Sequence, residues 1–544
     1  MKKTFITWIL ISLAFISHAQ ITFLNRHEVE VKFMENDFML MVEGDQVIGF
    51  RTLPERGFNL KTKLQFFVAN ESLKAEPIHE VLLKDSYDLV GYDIDGGIFY
   101  VLLQKGTPFS TDKYLIAIDI ESKEAEEIDL SKLLGMELQE FVVFGGSVAL
   151  MGLIENRPAV QLFRLEDGSI FTLEGIYFRD SKILQVRKDS ELGLLDILVS
   201  KRNRFKEKQL TLLSFDNQGN KMRDILMQDS EDRENELVEG VLTGIQDYQQ
   251  HMLGTFGLRR REAYRGLYIS EINQFGEYEM KKYTMEDFPN YYAYLTEKQE
   301  LKKIRAIEKI IEKGKIPTIR PVFTLREIIP TPEGFLIYTE NLTINNPRYA
   351  ARDGMYSPQV NANQRMFYDP NFMGGPWGVR NPGFRTMNAM TPTEYRYHAA
   401  YMIYIHRDGR VLWDNAINLF NHTRVIPGKY GEVHFDGNKL HFLHLNGVKI
   451  IATYLKNGEM IFLNEEFEIQ LMDENARIRE TKEESLELRY WYDDFFLLSG
   501  KQKVRFMDEN MKEATRDVFF VTKLKVDGEL FKGEQQSRML RNVK

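Results

Sequence analysis

Short runs rich in Val, Ile, Leu, Tyr and Phe recur along the chain, separated at close intervals by Gly, Asn and Asp. Extended runs punctuated in this way are the pattern of β-hairpins. The clearest turns are Asp167-Gly168 in AVQLFRLEDGSIFTL, Asn217-Gln218-Gly219 in LTLLSFDNQGNKM and Asn273 to Gly276 in GLYISEINQFGEYEM. Three more are Asp408-Gly409 in YMIYIHRDGRVLW, Asn457-Gly458 in KIIATYLKNGEMIFL and Asp527-Gly528 in VFFVTKLKVDGELF. Glycine supplies the positive φ that tight hairpin turns need.

Two less obvious hairpins, LQFFVANESLKAEPIHEV and YLIAIDIESKEAEEIDL, complete a series with turns near positions 71, 121, 167, 218, 275, 408, 457 and 527. Most intervals are about 50 residues, a period that marks repeat architectures. A second hairpin precedes most of these, as in YDLVGYDIDGGIFYVLL, EFVVFGGSVALMGLI, GEVHFDGNKLHFLHL and YWYDDFFLLSG. Two hairpins per period make four antiparallel strands, the unit of a propeller blade. The expected fold is all-β, a β-propeller of about eight four-stranded blades, or seven if one unit is misread. An array of β-sandwiches is the alternative, although it has no need of so even a period. Residues Ile21 to Phe33 are expected to add a strand to the last blade.

Two insertions, at 285–320 and 341–398, account for the long gaps in the series. In the first, Asn290 to Lys313 reads as a helix. Asn290 is its N-cap, Leu301, Ile304, Ile307 and Ile311 form an apolar stripe, and Gly314 stops it. The second, Asn341 to His398, has no periodicity and is rich in Gly, Asn, Pro, Met and aromatic residues. A loop this long inside a compact unit is functional or disordered, and disordered chain is poor in aromatics. Partner or ligand contact is therefore expected through Tyr356, Phe367, Tyr368, Phe372, Trp377 and Phe384, with self-packing or disorder as the alternatives. With strands lettered a to d from the centre outward, the helix lies on a d–a connection and the loop on a b–c connection. The chain reverses at every turn, so both should emerge at the same end of their blades.

Charge points to that end as well. Lys201, Arg202, Arg204, Lys206 and Lys208 cluster on one b–c connection, and Arg259, Arg260, Arg261 and Arg265 on the next. Arg51, Arg56, Lys61 and Lys63 fall on the first, and Lys501, Lys503 and Arg505 on the last. Acidic residues concentrate in two d–a segments, Asp229 to Glu236 and Glu465 to Glu484. Basic loops on a chain of net charge −9 would attract an anionic partner with salt-dependent strength. Arg202, Arg204, Arg259, Arg260 and Arg261 are the candidate contacts, and solvated loops are the plainer alternative.

The N-terminus reads as a secretory signal peptide over residues 1–19, followed by a single propeller domain over 20–544. Lys2 and Lys3 precede the apolar run Phe5 to Ile16, and Ser17-His18-Ala19 places small residues before Gln20. That run falls short of the ~20 residues of a membrane span, so the protein is expected to be exported, periplasmic or secreted. Export and negative charge argue against a nucleic-acid partner. The chain has no Cys, so neither disulfides nor thiolate zinc sites are open to it.

Chemistry is sparse. There is no G-x-S-x-G elbow, H-E-x-x-H pair, phosphate loop or dinucleotide fingerprint. His398, His406, His422, His434, His441 and His444 cluster in sequence. His441 and His444, three apart on a strand, should face opposite ways, which favours ordinary strand histidines over a metal site. Asp93-Ile94-Asp95-Gly96 lacks the downstream Glu of a calcium loop and reads as a hairpin turn. No cofactor is expected. The hairpin YMIYIHRDGRVLWDNAINL, with Asp408-Gly409 followed by Trp413, resembles an outer blade hairpin of quinoprotein-like propellers. That pattern repeats D-G-x-x-x-W in every blade, and here the Trp occurs once, so the resemblance implies the blade without the quinone. The expected function is a non-catalytic binding scaffold whose partner is an envelope protein or an anionic glycan. A secreted hydrolase acting on carbohydrate or peptide with acids near the channel, and a structural subunit of an envelope complex, are the alternatives.

Overall fold

The computed structural model describes residues 21–54, 62–228, 234–259, 264–318, 322–345, 394–424, 428–473, 475–507 and 512–527. They form an all-β protein of eight antiparallel sheets, each with four strand positions, which are the blades of a β-propeller. Blades 1 to 8 span 39–82, 87–129, 137–172, 181–227, 235–284, 322–424, 431–468 and 477–526. The signal peptide expected over residues 1–19 lies outside the described residues. No helix among those described is long and apolar enough to cross a membrane.

Every hairpin proposed from turn chemistry is present up to Asn457-Gly458, and the last, at Asp527-Gly528, runs out of the described residues. At Asn457-Gly458 both residues take positive φ, 50° and 77°, as a type I′ turn requires. In the last blade the fourth strand comes from the other end of the chain. Ile21–Glu30 pairs antiparallel with Glu513–Val526, from Ile21↔Val526 to Glu30↔Val518. The anticipated N-terminal strand is therefore there, and it occupies the place that a hairpin at Asp527-Gly528 would have filled. In blade 5 the inner position is split between Asn235–Leu237 and Val241–Leu242, both paired with Gln250–Leu258.

The burial of each strand follows its place in the blade. Ile98–Lys105 (IFYVLLQK), second in blade 2, is buried along almost its whole length, whereas the outer strand Ala125–Asp129 (AEEID) is largely exposed. A middle strand has both faces covered and so reads as a continuous apolar run.

By its contacts the chain forms two compact units, residues 1–51, 66–78 and 431–544, and residues 52–65 and 79–430. In the second unit the core is a series of layers between successive blades. Phe141 and Val143 of blade 3 meet Leu102 and Leu115 of blade 2, and Ile197 and Val199 of blade 4 meet Leu162 and Val160 of blade 3. Leu325 and Tyr401 of blade 6 meet Leu253 and Leu267 of blade 5. In the first unit, Leu443 and Tyr454 of blade 7 pack with Phe496 and Phe520 of blade 8. Phe519 and Trp491 of blade 8 pack in turn with Phe38 and Phe67.

Several of the polar side chains that cross these layers are matched in pairs. Asp93 accepts from the Val143 amide at 2.7 Å and pairs with Lys188 at 2.9 Å. Its segment therefore serves as an inter-blade tie, and burial raises the Asp93 pKa despite that lysine. In blade 6 the fully buried Arg326 and Glu340 pair at 2.6 Å. Burial is the largest influence and opposes the guanidinium charge, but Glu340, Tyr397 and Tyr338 together outweigh it and raise Arg326.

Two outcomes follow from this packing. Deleting residues 21–30 leaves Glu513–Val526 an unpaired edge and removes the burial of Ile21 and Val29. At ~1 kcal/mol per hydrogen bond and ~2 kcal/mol per buried aliphatic side chain, the loss should exceed about 5 kcal/mol in urea unfolding. Amides of 513–526 should lose their hydrogen-exchange protection, and unchanged protection would refute the closure. Separately, Glu340→Ala strands a buried guanidinium and should cost about 3–5 kcal/mol in the same assay.

Candidate functional site

Blade 6, flanked by the helical insertion and interrupted by the long one, departs from the regular repeat. Its last three strands run 12, 13 and 14 residues, whereas those of blade 5 run 9, 9 and 7. The extra length lies at the b–c end, where Gly334–Asn345 and Glu394–His406 remain paired up to Asn345↔Glu394. Strand therefore runs five residues into each end of the segment 341–398, and the aperiodic part is 346–393. Tyr395 and Tyr397, alternating toward the interior, are buried at 4% and 0% exposure, which explains why the strand continues there. Register shifts opposite Tyr397/Ala399, and Phe420 and Asn421 take positive φ of 55° and 57°. Such a bulge bends a strand and redirects its end. His398 ties the extension together, with Nε2 at 2.6 Å from Thr343 Oγ1 and Nδ1 at 2.5 Å from Asn421 Oδ1.

The helical insertion stands on the same blade. The helix α1, Glu297–Ile311, is capped by Thr296, whose hydroxyl and Gln299 form a capping box. Asn290 does not cap it. Its amide and side chain instead donate to Asp414 Oδ2 and to the Asp414 carbonyl, both at 2.9 Å. Burial raises the Asp414 carboxyl, and the Asn290 donors partly offset that. Tyr291 stacks on Tyr401 at 4.5 Å and 10°, and Asn418 donates to the Tyr294 carbonyl at 3.1 Å. The leader of α1 is thus riveted to blade 6, but the helix itself is not buried. Leu301, Ile304, Ile310 and Ile311 are 47%, 36%, 37% and 37% exposed, and of the anticipated stripe only Ile307 packs on the core.

The aromatic candidates Tyr356, Phe367, Tyr368, Phe372, Trp377 and Phe384 lie outside the described residues, as do Arg260 and Arg261. Arg202 pairs with Glu236 at 3.4 Å and Arg259 with Glu207 at 3.0 Å, while Arg204 is exposed. Other basic positions are also matched. Arg265 is buried beside Glu234 and Asn235, and Lys503 and Arg505 meet Glu480 and Glu513. Arg51 and Lys501 are buried strand residues facing Glu35 at 3.3 Å and Asp37 at 2.6 Å. Burial lowers both, against those acids. The acidic segments noted in the sequence supply several of these partners, Glu234, Glu236 and Glu480.

The structure also brings together three residues that sequence reasoning left apart. His434, on the inner strand of blade 7, lies opposite His441 in the hairpin register. Asp494, in the a–b turn of blade 8, approaches both, with Oδ1 at 3.7 Å from His434 Nε2 and 3.7 Å from His441 Nδ1. His434 Nδ1 lies 3.1 Å from the Tyr490 hydroxyl. Tyr490, His434, His441 and Tyr454 form a continuous stack with spacings of 5.3, 6.1 and 4.9 Å. Burial takes His441 down to about 3, with His434 acting the same way and Asp436 opposing. Burial also lowers His434, against Asp494, Asp436 and Asp493. The alternation argument that separated His441 from His444 holds, but the partner of His441 is across the hairpin. A turn at Asp436-Gly437 implies that pairing, whereas nothing local points to Asp494.

No protein-family model and no curated protein matches the chain. Solved structures resemble it only distantly. An acylaminoacyl peptidase aligns with 79% of this chain at 9% identity and TM-score 0.33, and this chain spans about half of it, 52%. The β-propeller domain of the Trilobed protease from Pyrococcus furiosus aligns over 79% of this chain and 98% of its own, at 8% identity and TM-score 0.33. A polysaccharide lyase described as an ulvan lyase aligns over 80% and 93%, at 10% identity and TM-score 0.37. These likenesses assign no activity, substrate or partner.

The mooring of α1 is open to test. Asp414→Ala removes the acceptor of the Asn290 amide, a part-buried hydrogen bond worth about 0.5–1.5 kcal/mol. Hydrogen exchange over 288–311 should quicken by about two- to ten-fold while blades 2 to 4 keep their protection. Uniform exchange across all of these segments would show that Asp414 supports the fold generally and not the helix.

Proposed function

We propose that this protein is a non-catalytic binding scaffold whose blade 6 presents α1 and the adjoining segment 346–393 to a protein partner. The observation that carries this reading is the apolar stripe of α1, left in solvent on a helix whose leader is firmly held. A single exposed Leu or Ile is ordinary, but contiguous exposed apolar residues mark interaction surfaces, and an amphipathic helix offers anchors at i, i+3 and i+7 spacing. Rigid blades with elaborated connections suit this role, because the scaffold fixes where the connections project. The aromatic and methionine content of 346–393 fits the same end of the blade.

A protein is favoured over an anionic glycan by the ion pairs. Arg202 and Arg259 already face Glu236 and Glu207, which reduces what they offer to a sulfate or carboxylate. Placement at the cell envelope rests on the sequence of residues 1–19.

The test is co-purification from envelope fractions with the whole protein, with Leu301→Glu/Ile304→Glu, and with 346–393 replaced by a short Gly/Ser linker. A partner retained by the wild type and lost by at least about ten-fold with either variant, at unchanged circular dichroism, is the expected result. Equal recovery of every co-purifying protein with all three forms would end this reading.

A further inference from the structure

The His434, His441 and Asp494 group is unused by the scaffold reading, and its chemistry is specific. His441 is 1% exposed, and neither of its ring nitrogens has a hydrogen-bond partner. An unsatisfied buried polar group costs about 1–3 kcal/mol, and a Phe in the same stack would avoid that cost. Stacking between Tyr490 and Tyr454 therefore accounts for a ring at this position but not for an imidazole. The carboxylate adds to this: Asp494 Oδ1 stands 3.7 Å from one nitrogen of each histidine, and one ligand atom from each of the three residues lies within 4.8 Å of the others.

We propose that His434 Nε2, His441 Nδ1 and an Asp494 carboxylate oxygen bind one divalent transition-metal ion, with zinc as the best match. Ligands about 2.1 Å from zinc at tetrahedral angles lie about 3.4 Å apart, so the carboxylate-to-imidazole separations need to close by about 0.3 Å and the imidazole-to-imidazole separation, within 4.8 Å, by up to about 1.4 Å. Two imidazoles and one carboxylate suit zinc and its first-row neighbours, whereas calcium and magnesium take oxygen ligands. Three protein ligands leave the fourth position to water, and Asp494, 40% exposed at its side chain, sits at the solvent side.

The surroundings are those of a metal site. The Tyr490 hydroxyl lies against His434 Nδ1, the outer contact that orients a ligating imidazole and leaves Nε2 free to bind. Asp436, Asp493 and Asp527 add negative potential around the pair, and Lys439 opposes them. Asp494 itself is fixed by its backbone, since the Val526 amide donates to its carbonyl at 3.0 Å. A bound ion would fasten the hairpin of blade 7 to the turn of blade 8.

The whole protein, stripped with a chelator, is titrated with Zn²⁺ by calorimetry, and Co²⁺ is used as the spectroscopic probe. One Zn²⁺ per chain and the intense visible bands of four-coordinate Co²⁺ are expected. His441→Phe keeps a ring in the stack and removes both nitrogens, and Asp494→Asn alters only a surface turn. Each should weaken Zn²⁺ binding by at least about a hundred-fold, the upper end of what outer-shell changes alone cost, with circular dichroism unchanged. Absence of stoichiometric binding by the wild type, or binding that survives both substitutions, would overturn the site.

Discussion

A four-stranded blade cannot be stable alone, because both of its faces are apolar through the middle strands and its edges carry unpaired backbone groups. The faces are covered by neighbouring blades, as the layers between blades 2 and 3, 3 and 4, and 7 and 8 show. The edge of the last blade is covered by Ile21–Glu30, a strand that comes from the opposite end of the chain. That long-range pairing is costly to form, since it must close almost the whole chain into a loop. Once formed, it makes stability cooperative across blade 8, where Arg26 also reaches Gln502 and lies over Phe520. With no cysteine available, packing and strand pairing carry this task without covalent help.

The regularity imposed by face-to-face packing makes departures from it informative. Blade 6 keeps the layer contacts of its inner strands but lengthens its outer ones and inserts a bulge at Phe420-Asn421. The helix beside it spends buried groups only on its leader, through Asn290, Tyr291 and Tyr294. A helix needed for stability would bury its apolar stripe, and α1 leaves Leu301, Ile304 and Ile311 in solvent. Blade 7 departs in another way, by setting two histidines opposite one another across its inner hairpin. The proposed docking face and the proposed metal site lie on separate blades, and neither proposal depends on the other.

Charge illustrates how far a linear reading carries. The basic clusters at 201–208 and 259–265 and the acidic segments at 229–236 and 465–484 look like separate fields in sequence. In the fold, Arg202 meets Glu236, Arg265 meets Glu234 and Lys503 meets Glu480, so much of that contrast is spent within the protein. Arg51 and Lys501 were legible as basic but not as buried. Their depth is set by which way each strand residue faces, and a single step of register reverses it.

The sequence by itself determined the repeat, a count of about eight blades that left seven open, the hairpin positions up to Asn457-Gly458 and the connections that carry the insertions. These depend on local rules: turn residues that accept positive φ, alternation along strands, and reversal of the chain at each turn. It also contained the His434–His441 pairing, through the turn at Asp436-Gly437. Only the tertiary structure decided the rest, including the capping of α1 by Thr296, the diversion of Asn290 to Asp414, the exposure of the helical stripe and the arrival of Asp494 beside two histidines. Each of these joins residues from different blades or from a connection and a blade. Their distances follow from sheet twist and layer packing, which no short window of sequence encodes.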